Sequence, residues 1–181
     1  MSTKNIAVFC AAADGSRPEY RQAAEDLGRV MAQRGLGLVY GGATVGLMGA
    51  VAGSALAAGA QVVGVIPQVL VKGEVAHNGL SELHIVDTMH TRKALMGERA
   101  DAFLVLPGGF GTLEELFEVL AWQTLKIHSK PVVLLNTAGF YDGLLRFLDT
   151  CEAEGMLRGN RKCLLSADTI EEALRLCGVS A

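Results

Sequence analysis

Short runs of apolar residues alternate along the chain with longer stretches in which apolar residues recur every three or four positions. The short runs predict six β-strands, at residues 6–10, 36–40, 62–66, 83–86, 102–106 and 132–135. The longer stretches predict helices at residues 18–34, 45–59, 89–99, 113–126, 141–154 and 170–176. The stretch 69–80, with two glycines and weak periodicity, predicts the longest loop.

The regular alternation of strands and helices predicts an α/β fold, a doubly wound parallel sheet with helices on both faces. Several strands are apolar at every position, which is typical of a parallel sheet covered on both sides. The pattern contains no internal repeat and no linker, so residues 1–181 are expected to form one domain. In such a sheet, ligands bind where the carboxyl ends of strands meet the starts of helices. We therefore expect the functional residues to lie in the strand-to-helix turns.

The composition and charge of the chain argue against several classes of protein. Half of the 181 residues are hydrophobic and 19% are charged, which excludes an intrinsically disordered chain. The formal net charge of −3 gives no support to a basic nucleic-acid-binding surface, and no apolar run is long enough to span a membrane. A short apolar segment near the start resembles a signal peptide but is too short for one, so a cytoplasmic protein is expected. The four cysteines lack CxxC spacing and the four histidines lack metal-ligand spacing, so neither a disulfide framework nor a metal site is expected.

The turn after the second predicted strand holds four glycines in nine residues, positions 41–49. Backbone without side chains can approach a ligand closely and point amide groups at an anion. Close packing of helix on sheet would by itself account for Gly46 and Gly49. Gly42 and Met48 in this turn are candidate ligand contacts. The turn lacks the lysine of a P-loop and the GxGxxG order of a dinucleotide site.

The turn after the fifth predicted strand, residues 106–115, reads LPGGFGTLEE. Its glycines lead into a helix start, where unpaired amides and the helix dipole favour a phosphate. Thr112 and Glu115 also fit a capping box, in which they would only cap the helix. That alternative leaves unexplained why two carboxylates, Glu114 and Glu115, stand beside a predicted anion site. Glu115 is therefore the candidate catalytic carboxylate, and Glu114 is expected to face solvent or orient a neighbour.

A third turn, residues 87–93, ends in two adjacent cations at a predicted helix start. The helix dipole disfavours positive charge there, so an anionic ligand explains Arg92 and Lys93 better than a solvated face does. Arg92 can bind phosphate or carboxylate through two parallel hydrogen bonds. His90 is either a base or merely a neighbour at the helix start.

Residues 107–115 resemble the PGGxGTxxE signature of the LONELY GUY family, the cytokinin riboside 5'-monophosphate phosphoribohydrolases. Residues 89–93, MHTRK, are similar to a second motif of that family, and the glycine turn 41–49 and the segment 64–67 follow its pattern. The similarity extends from about residue 6 to residue 147. Older naming for this family is "lysine decarboxylase", for which the sequence gives no independent support.

The resemblance implies a Rossmann-like homodimer with its site at the subunit interface. It implies hydrolysis of the N-glycosidic bond of AMP or N6-modified AMP, without a cofactor, to the free base and ribose 5-phosphate. Arg92 and Glu115 match the catalytic pair. The positions that match the family's nucleotide-binding residues are Glu74, Arg92, Lys93, Gly109, Phe110, Gly111, Thr112, Leu113, Glu114 and Glu115.

The chain departs from the family pattern at two places. Alanines at 11–13 replace a common Gly-Ser-Ser after the first strand, and Ala121 replaces a common threonine. Both put substrate contacts and base preference in question rather than the chemistry. Two rival interpretations remain: a nucleotide-binding module without turnover, and a decarboxylase that holds pyridoxal phosphate on Lys93.

Overall fold

In the computed structural model, residues 4–71, 77, 79–157 and 160–179 are described. These residues form seven strands and six α-helices, and an α-helix follows every strand except the third. The strands are β1 (Asn5–Phe9), β2 (Gly37–Tyr40), β3 (Val62–Pro67), β4 (Glu82–Val86), β5 (Ala102–Val105), β6 (Val132–Leu135) and β7 (Leu164–Ala167). The helices are α1 (Pro18–Gln33), α2 (Gly46–Ala57), α3 (Met89–Arg99), α4 (Phe110–Thr124), α5 (Asp142–Ala153) and α6 (Ile170–Leu176).

All seven strands are parallel and lie in the order β4-β3-β2-β1-β5-β6-β7. The chain builds outward from β1 to β4 and then returns to the other side of β1 with β5. The strand order therefore reverses between β1 and β5. Connections on the two sides of such a reversal leave in opposite directions, which opens a crevice at the carboxyl edge.

Two apolar cores cover the two faces of the sheet. Alternate residues of β1 show this: Ile6 and Val8 pack with α1, α2 and α6, whereas Ala7 and Phe9 pack with α3, α4 and α5. All of these side chains are almost fully buried. Burial on both faces is the physical reason that the central strands are apolar at nearly every position.

The doubly wound α/β prediction is confirmed, as are all six predicted strands and all six predicted helices, with small differences at their ends. Strand β7 was not predicted. It is a four-residue edge strand in which only Leu164 and Ala167 are buried, so it lacks the continuous apolar run of the inner strands. Helix α4 begins at Phe110, three residues before the predicted start, because the helix continues back through Gly111 and Thr112.

Candidate active site

An open cavity of about 460 Å³ lies at the carboxyl edge of the sheet, where β1 and β5 end beside the reversal in strand order. The turn after β1 lines it with the three alanines at 11–13, and the turn after β2 contributes Gly41. The start of α4 contributes Gly109, Gly111 and Thr112. Two buried side chains of opposite charge, Arg92 from α3 and Glu115 from α4, complete the wall.

Arg92 is held by two backbone carbonyls, one inside β3 and one directly after β2. Its Nε donates to the carbonyl of Val65 at 3.1 Å, and its Nη2 donates to the carbonyl of Gly41 at 3.3 Å. Its Nη1 lies 3.4 Å from Oε1 of Glu115. Hydrogen bonds to these two carbonyls compensate for the desolvation of the buried guanidinium and fix its direction.

Glu115 is 7% exposed. Burial raises the pKa of this carboxyl to about 7; the positive charge of Arg92 opposes the shift, and the negative charge of Glu114 adds to it. The 3.4 Å contact with Arg92 is longer than a good hydrogen bond, so the pair leaves carboxylate lone pairs available. A carboxyl group poised near neutral pH in a cleft can both accept and release a proton there.

The start of α4 meets the cavity with backbone rather than with a capping side chain. The N-cap residue is Gly109, and Thr112 lies inside the first turn. The capping-box alternative for Thr112 and Glu115 is therefore wrong. The Thr112 side chain instead fills the volume where a side chain on Gly108 would lie, with Cγ2 2.8 Å from that Cβ position. The amides of the first turn remain directed along the helix axis, as a phosphate requires.

Lys93 points away from the cavity toward α4. Its Nζ pairs with Glu114 and lies 3.0 Å from Oε2 of Glu118, and the lysine side chain is 10% exposed. The lysine therefore ties α3 to α4, the two helices that carry Arg92 and Glu115. Its binding of substrate remains a prediction, and it does not stand where it could form a Schiff base with a ligand in the cavity.

Six of the predicted substrate contacts line the cavity: Met48, Arg92, Gly109, Gly111, Thr112 and Glu115. Phe110 is 95% exposed outside it, Leu113 packs into the core, and Glu114 is exposed. Gly42 also lies outside the wall, where its positive φ of 81° and its approach to Ile66 require a glycine. His90 is exposed on α3, and Glu74 lies outside the described residues.

Several residues that line the cavity were not selected from the sequence, among them Gly41, Cys10, Met89 and Met96. Gly41 could have been identified from the sequence, because it directly follows a predicted strand. An added Cβ there would overlap Nη2 of Arg92 and lie 2.8 Å from Sδ of Met48. Met89 and Met96 belong to a helical stretch whose sequence does not separate core side chains from cavity-lining ones, and it is the packing of α3 that brings them to the cavity. The departure at Ala121 lies elsewhere, in a groove between α4 and α5.

Within the described part of the chain, no cluster of three or more His, Cys, Asp or Glu side chains is suited to hold a metal ion. Across the same residues, none of the helices has the length and apolarity needed to cross a lipid bilayer.

A family model described as "Possible lysine decarboxylase" matches residues 48–177. The chain is 49% identical over 173 residues to the cytokinin riboside 5'-monophosphate phosphoribohydrolase of Rhodococcoides fascians, covering 94% of this chain and 87% of that protein. It is 46% identical over 170 residues to the cytokinin riboside 5'-monophosphate phosphoribohydrolase LOG of Oryza sativa subsp. japonica. That match covers 93% of this chain and 70% of that protein.

Solved structures share the fold at lower identity. The molybdenum cofactor binding protein of Rippkaea orientalis superposes with a TM-score of 0.72 at 23% identity, covering 97% of this chain and 96% of the other. The Moco carrier protein of Chlamydomonas reinhardtii gives a TM-score of 0.73 at 21% identity, and the match covers 96% of this chain and 94% of the other. At this identity the likeness concerns the fold alone.

Proposed function

Because the chain belongs to the LONELY GUY family, the cytokinin riboside 5'-monophosphate phosphoribohydrolases, we propose the following reaction for it. The chain hydrolyses the N-glycosidic bond of AMP or of an N6-modified AMP and releases the free base and ribose 5-phosphate. The observation that carries the proposal is the buried Arg92–Glu115 pair facing a cavity whose rim is the start of α4. The family likeness supports the substrate class, and the geometry of the pair supports the roles proposed for Arg92 and Glu115.

The glycine turn before α4 holds the 5'-phosphate. Gly109 and Gly111 line the cavity without side chains, so their backbone can approach a phosphate closely. The positive end of the α4 dipole favours the anion at this point. Binding energy from the phosphate can then be used at the sugar, where the bond breaks.

Glu115 carries the chemistry at the sugar. As the C1'–N bond breaks, its electron pair leaves with the base and positive charge develops on the ribose, as in glycoside hydrolysis. The Glu115 carboxylate stabilises that charge and takes a proton from water, whose oxygen bonds to C1'. The proton then passes to the base nitrogen. Arg92 holds the carboxylate in place and orients the substrate, a positioning effect that lowers the barrier.

We further propose that the chain acts as a cytoplasmic homodimer that covers the cavity mouth. Large apolar side chains are exposed beside it: Val69 is 76%, Met89 39% and Phe110 95% exposed. Exposed apolar clusters of this kind mark interaction surfaces. Light scattering should give twice the chain mass, and a monomer at micromolar concentration would contradict the dimer.

The test is product formation by wild type and by Glu115→Gln. Wild type should convert AMP to equal amounts of adenine and ribose 5-phosphate, measured by chromatography. Glu115→Gln should release almost none, whereas Glu152→Gln, at an exposed position on α5, should match wild type. AMP binding by calorimetry without any base release from wild type would instead support the nucleotide-binding module.

A further inference from the structure

The hydroxyl group of Tyr141 contacts the phosphate-binding turn from behind. Its Oη donates to the carbonyl of Leu106 at 2.6 Å, and Tyr141 is 2% exposed. Leu106 is the first residue of this turn and directly precedes Pro107. Burial raises the pKa of the Tyr141 phenol, so the hydroxyl keeps its proton and remains a donor across the physiological range.

The turn that receives this hydrogen bond is also bonded to the other side of the cavity. The carbonyl of Pro107, the next residue, accepts from the amide of Ala11 at 3.1 Å. Leu106 itself donates its amide to the carbonyl of Phe9 at 2.9 Å. The direction of the Leu106 and Pro107 carbonyls therefore fixes where the backbone, after Gly108, brings Gly109 into the cavity wall.

Tyr141 is in turn held by Asn136, at the end of β6. The Asn136 Oδ1 accepts from the Tyr141 amide at 2.7 Å, and its Nδ2 donates to Oδ1 of Asp142 at 2.8 Å. The backbone amide of Asn136 donates to the carbonyl of Ala167 in β7 at 2.8 Å. Asn136 is 9% and Tyr141 2% exposed, so the bond between them is shielded from water, and a hydrogen bond is stronger in such surroundings.

We infer that Tyr141, held by Asn136 at the end of β6, is a positioning residue that sets the phosphate-binding turn of this enzyme. It touches neither substrate nor reacting atoms and acts through the Leu106 carbonyl. The inference rests on the proposed function, because it takes the turn at residues 107–112 as the phosphate site. Loss of the hydroxyl leaves a buried carbonyl without its donor and lets the turn relax, so ligands that carry a phosphate lose affinity.

Tyr40 provides a matched control. It is also a fully buried tyrosine, the last residue of β2, but its hydroxyl has no hydrogen-bond partner among the described residues. Tyr40→Phe removes a buried hydroxyl without breaking a hydrogen bond. Any effect that Tyr141→Phe shows and Tyr40→Phe does not is therefore due to the bond with Leu106.

The experiment compares the two variants with wild type. Calorimetry measures the Kd for ribose 5-phosphate, kinetics measure KM and kcat for AMP, and thermal unfolding reports folding. Tyr141→Phe should raise the Kd for ribose 5-phosphate and the KM for AMP by about 5- to 20-fold, the effect of one lost buried hydrogen bond. The Kd for adenosine, which has no phosphate, should stay within about twofold, and Tyr40→Phe should match wild type.

Unchanged phosphate affinity in a folded Tyr141→Phe variant would overturn the inference, and so would an equal loss for adenosine. If Tyr141→Phe does not fold, Asp142→Ala tests the same network from its exposed end and should raise the same Kd by a smaller factor. The Kd for ribose 5-phosphate does not depend on turnover. Failure of wild type to cleave AMP would thus refute the proposed reaction without deciding the role of Tyr141.

Discussion

Replacing Gly41 by alanine would put a methyl group into the volume that the Arg92 guanidinium fills. The backbone tolerates the change, since Gly41 has no positive φ. The new Cβ would overlap Nη2 of Arg92 and lie 3.2 Å from its Cζ and 2.8 Å from Sδ of Met48. The methionine sulfur can swing aside, but Arg92 is bonded to the carbonyls of Gly41 and Val65 and has no free end.

The size of the effect follows from these distances. Non-bonded atoms pack best at about 3.5–4.0 Å, so the guanidinium has to shift by about 1 Å or more. A misplacement of about 1 Å at a catalytic group costs roughly 100-fold in rate. Overpacking of this kind also lowers the free energy of unfolding by about 1–3 kcal/mol.

The assay is kcat/KM for adenine release from AMP, with denaturant unfolding measured on the same samples. Gly53→Ala is the control, because nothing lies within 4 Å of its added Cβ. That change, inside α2, should leave activity unchanged and stabilise the fold by about 0.5–1 kcal/mol. Wild-type kcat/KM in folded Gly41→Ala would refute the account in which the position of Arg92 governs the rate.

Three further predictions test the charges around the cavity. Glu115→Gln should lower kcat by roughly 10²–10⁴-fold while the Kd for AMP changes little, and turnover near the wild-type rate would exclude Glu115 as the base. Because the ionised carboxylate is the active form and its pKa is about 7, kcat/KM should rise with pH up to about 7 and then level off; a flat profile from pH 5.5 to 8 would contradict this. Lys93→Met should lower the free energy of unfolding by about 1–3 kcal/mol, because Glu118 loses its partner in a half-buried position. The exposed Lys162→Met should change that free energy by less than about 0.5 kcal/mol, and an equal loss in both variants would show that Lys93 does not tie α3 to α4.

The positions of Arg92 and Glu115 near one another could be predicted because each stands close to a helix start after a parallel strand. The carboxyl ends of parallel strands share one edge, so helices that begin there converge on it. The direction of Lys93 could not be predicted in the same way. Its partners lie 21 and 25 positions along the chain, and only the packing of α3 against α4 decides that it meets Glu114 and Glu118 instead of the cavity.

Residues that act through backbone carbonyls were the hardest to predict. Tyr141 follows a loop and begins a helix, which describes many core tyrosines, and nothing in the local pattern connects it with Leu106, 35 positions earlier. Strand β7 was missed for a related reason. Its position at the edge of the sheet exposes Ser166 and leaves only a short apolar signal.

The central claim is that this site cleaves the base from nucleotides that carry a 5'-phosphate. The measurement that tests it most directly is kcat/KM for base release from AMP, isopentenyl-AMP and adenosine, run in parallel with one enzyme preparation. We expect release from both monophosphates and at least about a hundredfold lower kcat/KM for adenosine, because adenosine has no phosphate for the glycine turn before α4 to bind. Equal cleavage of AMP and adenosine, or no cleavage of any of the three, would contradict it.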